Sequence, residues 1–265
     1  MADGPGREAL VERARAALAT APGLSALFVS GSLGAGTEDE WSDIDLVGVA
    51  ERAQWPALSD ALRAALGPLA LWKVHFGGAL SNAVTPDWER IDLYLTEPPA
   101  FAARNRGELR ALHDPDDLLG SLGAPPEPAP SPANVTAIVE EFLRVIGLMP
   151  VVMGRAELVT AVDGAGLERG LIADLMIEEA APVHRGGALH LSRLIPAEDH
   201  AALAALPYPR PEREEVIEAH LANAALFLPR ARALAARIGA QWPQALEEAT
   251  RRRLRGTLGI ELPDG

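Results

Sequence analysis

The sequence predicts an α/β domain of sheet and helices, followed by an all-α helical bundle, and three observations carry that expectation. Residues 124–132 read Ala-Pro-Pro-Glu-Pro-Ala-Pro-Ser-Pro, a proline density that cannot join a helix or a sheet interior. Before this segment, apolar patterns of strand and helix period alternate. After it, every apolar stripe has helical spacing. The division expected is therefore a first domain over 1–122, a Pro-rich spacer over 123–133 and a helical domain over 134–265.

Taken in order, Arg7 to Thr20 is Ala-rich, with Leu10, Val11, Ala14 and Leu18 spaced for one helical face. Leu24 to Ser30 reads as a strand that enters a Gly-rich turn. Asp45 to Ala50 is a second strand, and residues 53–66 form a second helix. Leu69 to Phe76 and Arg90 to Thr96 are further strands. Interleaving of this kind suggests a sheet backed by helices. Beyond the spacer, Val135, Ile138, Val139, Phe142 and Ile146 make one stripe. Leu167, Leu171, Leu175 and Met176 make a second, and Val216, Ile217, Leu221 and Leu228 a third. Pro150, Pro182, Pro196 and the Pro207–Pro211 stretch separate them, and a bundle of four to six helices is expected.

Bulk composition limits what such a chain can do. Its 265 residues are 48% hydrophobic and 23% charged, which is globular composition with enough length for two buried cores. No apolar run approaches a membrane span, and the first residues lack a basic-then-apolar leader, so no membrane partner and a cytoplasmic location are expected. With zero cysteines, disulfides and thiolate metal sites are excluded. The net charge of −13 is shared by both halves, which makes the chain a poor nucleic-acid binder. Such a surface instead attracts a cationic small molecule.

Three segments of the first domain carry chemistry. Val29-Ser30-Gly31-Ser32 takes a strand into a turn followed by Gly34 and Gly36. Backbone N–H groups there can approach a phosphate closely, and the Ser32 hydroxyl can donate to it. Ser42-Asp43-Ile44-Asp45 opens a strand, and residues two apart in a strand share a face, so both carboxylates aim at one spot. Arg90-Ile91-Asp92 lies in another apolar strand, and Asp92 joins the pair if the strands are neighbours. Three carboxylates at one point repel each other unless a cation sits among them. Mg²⁺, a hard ion held by carboxylates and substrate phosphates, is the natural choice, in a one- or two-ion arrangement.

Gly31-Ser32, ten intervening residues, Asp43-Ile44-Asp45 and a later strand carboxylate together resemble the signature of the DNA polymerase beta-like nucleotidyltransferases. The stretch from Gly31 to Leu46 is most similar to the bacterial aminoglycoside and lincosamide nucleotidyltransferases. The resemblance covers residues 24–97 and is only architectural beyond 133. It implies an α/β (α+β) nucleotidyltransferase domain with a mixed sheet before the helical one. It further implies an enzyme that uses Mg²⁺, as two ions, to transfer a nucleoside monophosphate from an NTP such as ATP to a hydroxylated small-molecule acceptor. In the terms of that family, Asp43, Asp45 and Asp92 are the metal ligands and catalytic residues. Gly31, Ser32, Asp43 and Asp45 receive the nucleotide, and Asp92 takes the acceptor's proton. One departure stands out: many relatives have a basic residue just before the second loop glycine, where this chain has Ala35. Lys73 or Arg104 would then meet the triphosphate. A nucleotidyltransferase-like antitoxin or regulatory protein is the alternative that the same motifs permit.

Other conspicuous residues have plainer readings. Glu140, Glu141, Glu178 and Glu179 are expected to face solvent, with Glu140 and Glu141 as reserve candidates for a base. Arg251, Arg252, Arg253 and Arg255 suit a helix C-terminus. His75, His113, His184, His190, His200 and His220 show no metal-ligand spacing, and Trp41 is expected to pack.

Overall fold

The computed structural model describes residues 6–124, 127–183, 185 and 188–263. Pro125 and Pro126 of the expected spacer, and His184, lie outside the described residues. The chain divides into two compact units, 1–126 and 127–265.

The first unit begins with helix α1 (Arg7–Ala19) and strand β1 (Leu24–Ser30), followed by a single helical turn, α2 (Gly31–Ala35). Strand β2 (Ile44–Ala50) and helix α3 (Trp55–Leu66) come next. Strands β3 (Leu71–His75), β4 (Leu80–Val84) and β5 (Arg90–Thr96) follow, then α4 (Pro98–Phe101), β6 (Arg110–His113) and α5 (Leu118–Ser121). The six strands form one sheet in the order β3-β4-β5-β2-β1-β6. It is mixed: β2 and β5 run parallel and the other neighbours antiparallel. Strands β4 and β6 were not apparent in the sequence. Leu80-Ser-Asn-Ala-Val84 is short and nearly half polar, and Arg110–His113 has four residues at a sheet edge.

Alternation divides the sheet's two faces. On one face Leu27, Val29, Ile44, Leu46, Ile91 and Leu93 pack against α1 and α3, whose Leu10, Ala14, Leu18, Leu58 and Leu62 face inward. The Trp55 indole N–H donates to Ala50 O at 3.1 Å, and a 2.6 Å hydroxyl pair between Ser59 and Ser81 ties α3 to β4. On the other face a smaller cluster covers β1 and β2: Phe28, Val47 and Val49 with Phe101, Leu109 and Leu122. Phe28 and Phe101 stack at 4.9 Å between centroids. No core residue of this smaller cluster lies on β3 or β4, and Tyr94 of β5 only borders it.

The second unit is all-α. Ser131 caps α6 (Pro132–Ile146), and its side chain accepts from the Asn134 N–H. Pro132, expected in the spacer, is instead the first helical residue, where its missing N–H costs nothing. Helices α7 (Met149–Gly154), α8 (Leu158–Ala180), α9 (Leu191–Leu194), α10 (Ala197–Ala204), α11 (Arg213–Ile238) and α12 (Gln244–Leu258) complete seven helices among the described residues, more than the four to six expected. The excess comes from α7 and α9, too short to leave a periodic signal. Their shared core includes Val139, Phe142, Ile172, Met176, Phe227 and Leu254, with Phe142 and Phe227 stacked at 3.9 Å. One expected stripe residue is misplaced: Leu167 is exposed, and the inward face of α8 carries Ala161, Ala165, Glu168, Ile172, Leu175 and Met176. Alanines and Glu168 at inward positions hide that face from a reading based on large apolar residues.

Candidate active site

Strand register assembles the site. Ser30 of β1 pairs with Asp45 of β2, and Asp45 pairs with Asp92 of the parallel neighbour β5. Asp92 in turn pairs with Asn82 of β4. Directly paired residues present their side chains to the same face, so the two carboxylates stand side by side, roughly 4.8 Å apart at their Cα atoms by strand spacing. Asp43, one residue before β2, shares that face. Strand register thus sets Asp45 beside Asp92, and Asp43 two residues before Asp45.

Local turns fix the approach to Asp43. Asp39 Oδ1 accepts from the Trp41 N–H at 3.0 Å and from the Ser42 hydroxyl at 3.1 Å, which closes a tight turn just before the strand. Arg7 of α1 donates to Asp39 O at 2.8 Å and to Glu40 O at 3.0 Å, pinning this loop to the first helix. Trp41 is 78% exposed, so it does not pack as expected; polar contacts of its neighbours hold the turn instead.

The Gly-rich segment is also not an open loop. Residues 31–35 wind into one helical turn, α2, at the end of β1. Gly31 has φ +61°, and a Cβ there would come within 2.6 Å of Asp45 Oδ2. A Cβ on Gly34 would meet Glu108 O at 2.2 Å and Val29 O at 2.7 Å. Gly31 thus makes room for the carboxylate, whereas Gly34 lets two backbone segments touch. The first N–H groups of such a turn have no acceptor within it. Ser32 stands there half-buried.

Electrostatics tie the three acids together. Asp45 is pushed up to about 6, first by burial and then by the charges of Asp43 and Asp92, with Arg90 acting against them. Arg90 Nη2 lies 3.4 Å from Asp43 Oδ2 and equally far from Trp41 O. Asn82 Nδ2 donates to Asp92 Oδ1 at 2.7 Å. Tyr94, two residues along β5, has its phenol held above the usual range by burial and by the same three carboxylates, while Arg104 opposes this. Burial in turn lowers Arg104. Among the described residues, no three metal-ligating side chains converge closely enough to hold an ion. Asp43 is paired with Arg90 and Asp92 with Asn82. The donor set itself, three carboxylates with oxygen ligands only, fits a hard divalent cation.

Sequence reasoning missed Asn82 and the roles of Arg90 and Asp39. Asn82 sits in a strand with almost no apolar signal. The one available hint was its position three residues before the Thr85-Pro86 turn, which pairs it opposite Asp92 only once the hairpin is known.

The remaining candidates fall outside this constellation. Glu140 is exposed, and Glu141 pairs with Arg144 at 2.5 Å. Glu178 is a correction: it is 4% exposed and accepts from Ser131 N at 2.8 Å and Asn134 Nδ2 at 3.0 Å, so it organises the start of α6 and does not face solvent. Glu179 pairs with Arg230 at 2.8 Å. Arg251 reaches Glu247 at 2.9 Å and Arg255 pairs with Glu261. His220 is buried against Glu168 at 2.7 Å. No helix among the described residues is long and apolar enough to cross a membrane.

Neither a known family model nor a curated protein sequence matches the chain. Among solved structures, it is similar to an aminoglycoside 6-adenyltransferase from Bacillus subtilis, with 13% identity and a TM-score of 0.43, over 91% of this chain and 95% of that one. It is also similar to a nucleotidyltransferase-like protein from Exiguobacterium sibiricum 255-15, with 14% identity and a TM-score of 0.43, over 96% of this chain and 89% of that one.

Proposed function

We propose that this chain is a nucleotidyltransferase, which moves a nucleoside monophosphate from an NTP, preferably ATP, to a hydroxyl of a small cationic molecule such as an aminoglycoside-like antibiotic. One observation carries the reading: Asp45 and Asp92 stand in register on adjacent parallel strands, on the face shared by Asp43, beside a glycine whose missing Cβ leaves room for Asp45. Carboxylates that raise one another's proton affinity in this way are a poor arrangement for stability and a good one for binding Mg²⁺.

Asp43, Asp45 and Asp92 would hold the metal, as a pair of ions. Bound there, Mg²⁺ supplies charge neutralisation for the phosphates and a lower pKa for the attacking hydroxyl. The chain's own groups do the rest. The start of α2, with the Ser32 hydroxyl, receives phosphate oxygens. Asn82 orients Asp92 through its amide. Asp92 accepts the proton as the acceptor oxygen bonds to the α-phosphorus. The bond from that phosphorus to the bridging oxygen breaks, and pyrophosphate leaves with the electron pair. A net charge of −13 favours a polycationic acceptor over a polyanionic one.

The test is incubation with Mg²⁺, labelled NTPs and a panel of hydroxylated amines, with pyrophosphate release and adduct mass measured together. Release that needs Mg²⁺ and acceptor, and that disappears in Asp43→Asn and Asp45→Asn, supports the reading. Nucleotide-independent behaviour in wild type, or full turnover in both variants, refutes it.

A further inference from the structure

We propose that Trp41 and Trp88 form an aromatic platform beside the three carboxylates, on which the rings of the acceptor, a multi-ring polyamine, are seated. The inference rests on the nucleotidyl-transfer reading above and names the residues that select its acceptor. Strand β1 ends, and β2 and β5 begin, at one edge of the sheet, because β2 runs antiparallel to β1 and parallel to β5. The register that sets Asp45 beside Asp92 and Ile44 beside Ile91 brings Asp43 and Arg90 together one residue earlier, and Arg90 Nη2 lies 3.4 Å from Asp43 Oδ2. Two residues before those come Trp41 and Trp88. The same guanidinium donates to Trp41 O at 3.4 Å, so the loop that carries Trp41 is tied to the strand that Trp88 leads into.

Both rings stand in water. Trp41 is 78% exposed and Trp88 is 77% exposed. The other three tryptophans are covered: Trp55 is buried, and Trp72 and Trp242 lie under the guanidinium groups of Arg63 and Arg232. Trp88 also occupies a position suited to another residue. Its N–H donates to Thr85 O at 3.0 Å, the Thr85 N–H donates to Glu89 O at 3.0 Å, and its own φ is +66°. That is a three-residue hairpin loop whose last residue is left-handed, the place where glycine is the ordinary choice. A bulky side chain there strains the backbone, and an indole left in water gains nothing from folding. A ligand stacked on the ring recovers what exposure and strain forgo.

Place and charge specify the occupant. Phosphate oxygens are received at α2, on the end of β1, whereas Asp92 on β5 takes the acceptor's proton. In the sheet order β5-β2-β1, the hairpin that leads into β5 therefore lies on the acceptor's side of the acids. Around the two rings the chain carries Glu38, Asp39, Glu40, Asp43, Asp87 and Glu89, against Arg7 and Arg90. A triphosphate is repelled there, while an ammonium group is drawn both to the acids and to an indole face. Trp88 precedes Asp92 by four residues, at most about 13 Å between Cα atoms, a span that two or more linked rings cover.

The test uses the full-length chain, with kanamycin and streptomycin as multi-ring polyamine probes. Calorimetry measures Mg²⁺-ATP binding, and probe binding in the presence of Mg²⁺ and ATP, for wild type, W41A and W88G. Thermal denaturation and sedimentation accompany each protein. The expected result is binding of at least one probe, weakened about 3- to 30-fold in each variant as a cation over an aromatic face is lost, with ATP affinity unchanged. Glycine at position 88 should also raise Tm by about 2–6 °C, because it releases the left-handed strain. A variant that is more stable yet binds the amine less well has lost a ligand contact and not packing. Probe binding unchanged in both variants, no probe binding to a wild type that binds ATP, or a W88G chain that loses stability overturns the inference and leaves the transfer reading standing. So does a wild-type dimer that both variants dissolve with probe binding intact, which would make the rings a self-association surface. Absence of ATP binding to wild type overturns the transfer reading, and this inference with it.

Discussion

Asp45→Asn isolates the electrostatic cost of the site. In the folded chain this carboxyl is raised from 3.8 to about 6 by burial and by its two acidic neighbours. A raised carboxylate stabilises the fold only while it is protonated. Its ionisation therefore penalises folding fully above about pH 6, and the penalty vanishes below about pH 4, where folded and unfolded chains are both protonated. Two pKa units at 1.36 kcal/mol each would make the penalty about 3 kcal/mol at pH 7.5. The carboxylate is only part-buried, and solvent screening reduces this to about 1–2 kcal/mol. Asn at position 45 removes the charge and keeps the shape, so the melting temperature at pH 7.5 should rise by about 2–8 °C. The gain should shrink as pH falls and be gone near pH 4. The assay is thermal denaturation of wild type and variant from pH 4 to 8, repeated with Mg²⁺ or Mn²⁺. Metal should raise the wild-type melting temperature, because it binds the folded state, and should raise that of the variant far less. A variant no more stable than wild type at pH 7.5, or a gain that persists unchanged to pH 4, would refute the electrostatic account of these strands.

Three other perturbations follow from the geometry. Gly31→Ala forces a side chain into the left-handed region, at about 1–2 kcal/mol, and drives its Cβ against Asp45 Oδ2; urea denaturation should show that loss, and a fully stable variant would mean α2 can move away. Asp92→Asn should lower kcat by at least about 100-fold without recovery in Mn²⁺ if the carboxylate takes the acceptor's proton, because an amide can coordinate but cannot accept a proton; full recovery of kcat in Mn²⁺ would make Asp92 a ligand only. His220→Ala should cost about 3–5 kcal/mol in the second unit, since Glu168, at 0% exposure, would lose the ring nitrogen 2.7 Å away; a cost below about 1 kcal/mol would show that Asn223 alone satisfies it.

What was legible in the sequence is what short-range periodicity encodes. Arg90–Thr96 alternates over seven residues and Leu24–Ser30 carries a short apolar run, and the bounds of both can be read directly. Asp43, Asp45 and Asp92 stood out because charged residues interrupt otherwise apolar strands. Strand pairing was not legible, because register depends on partners far along the chain. That is why Asn82 gave no signal, although it stands in the same row. The helical domain failed for a related reason: α8 turns Ala161, Ala165 and Glu168 inward, and a search for large apolar residues promotes the exposed Leu167 instead.

The same contrast explains why the site is where it is. A parallel pair of strands gives equivalent positions the same face without a turn between them, so β2 and β5 can each carry an acid in register while their chain-distant partners close the sheet around them. The two outer acids each have a neutral or cationic neighbour, Arg90 for Asp43 and Asn82 for Asp92, while at Asp45 between them burial and both acids outweigh the opposing charge of Arg90. The part-buried central acid is the one whose proton affinity rises. A cation entering between β2 and β5 would relieve the largest strain at Asp45 first, so metal affinity should fall more in Asp45→Asn than in Asp43→Asn, where Arg90 already shares the charge. Fold and function here pull against each other at a single residue, and that residue is where binding energy is available.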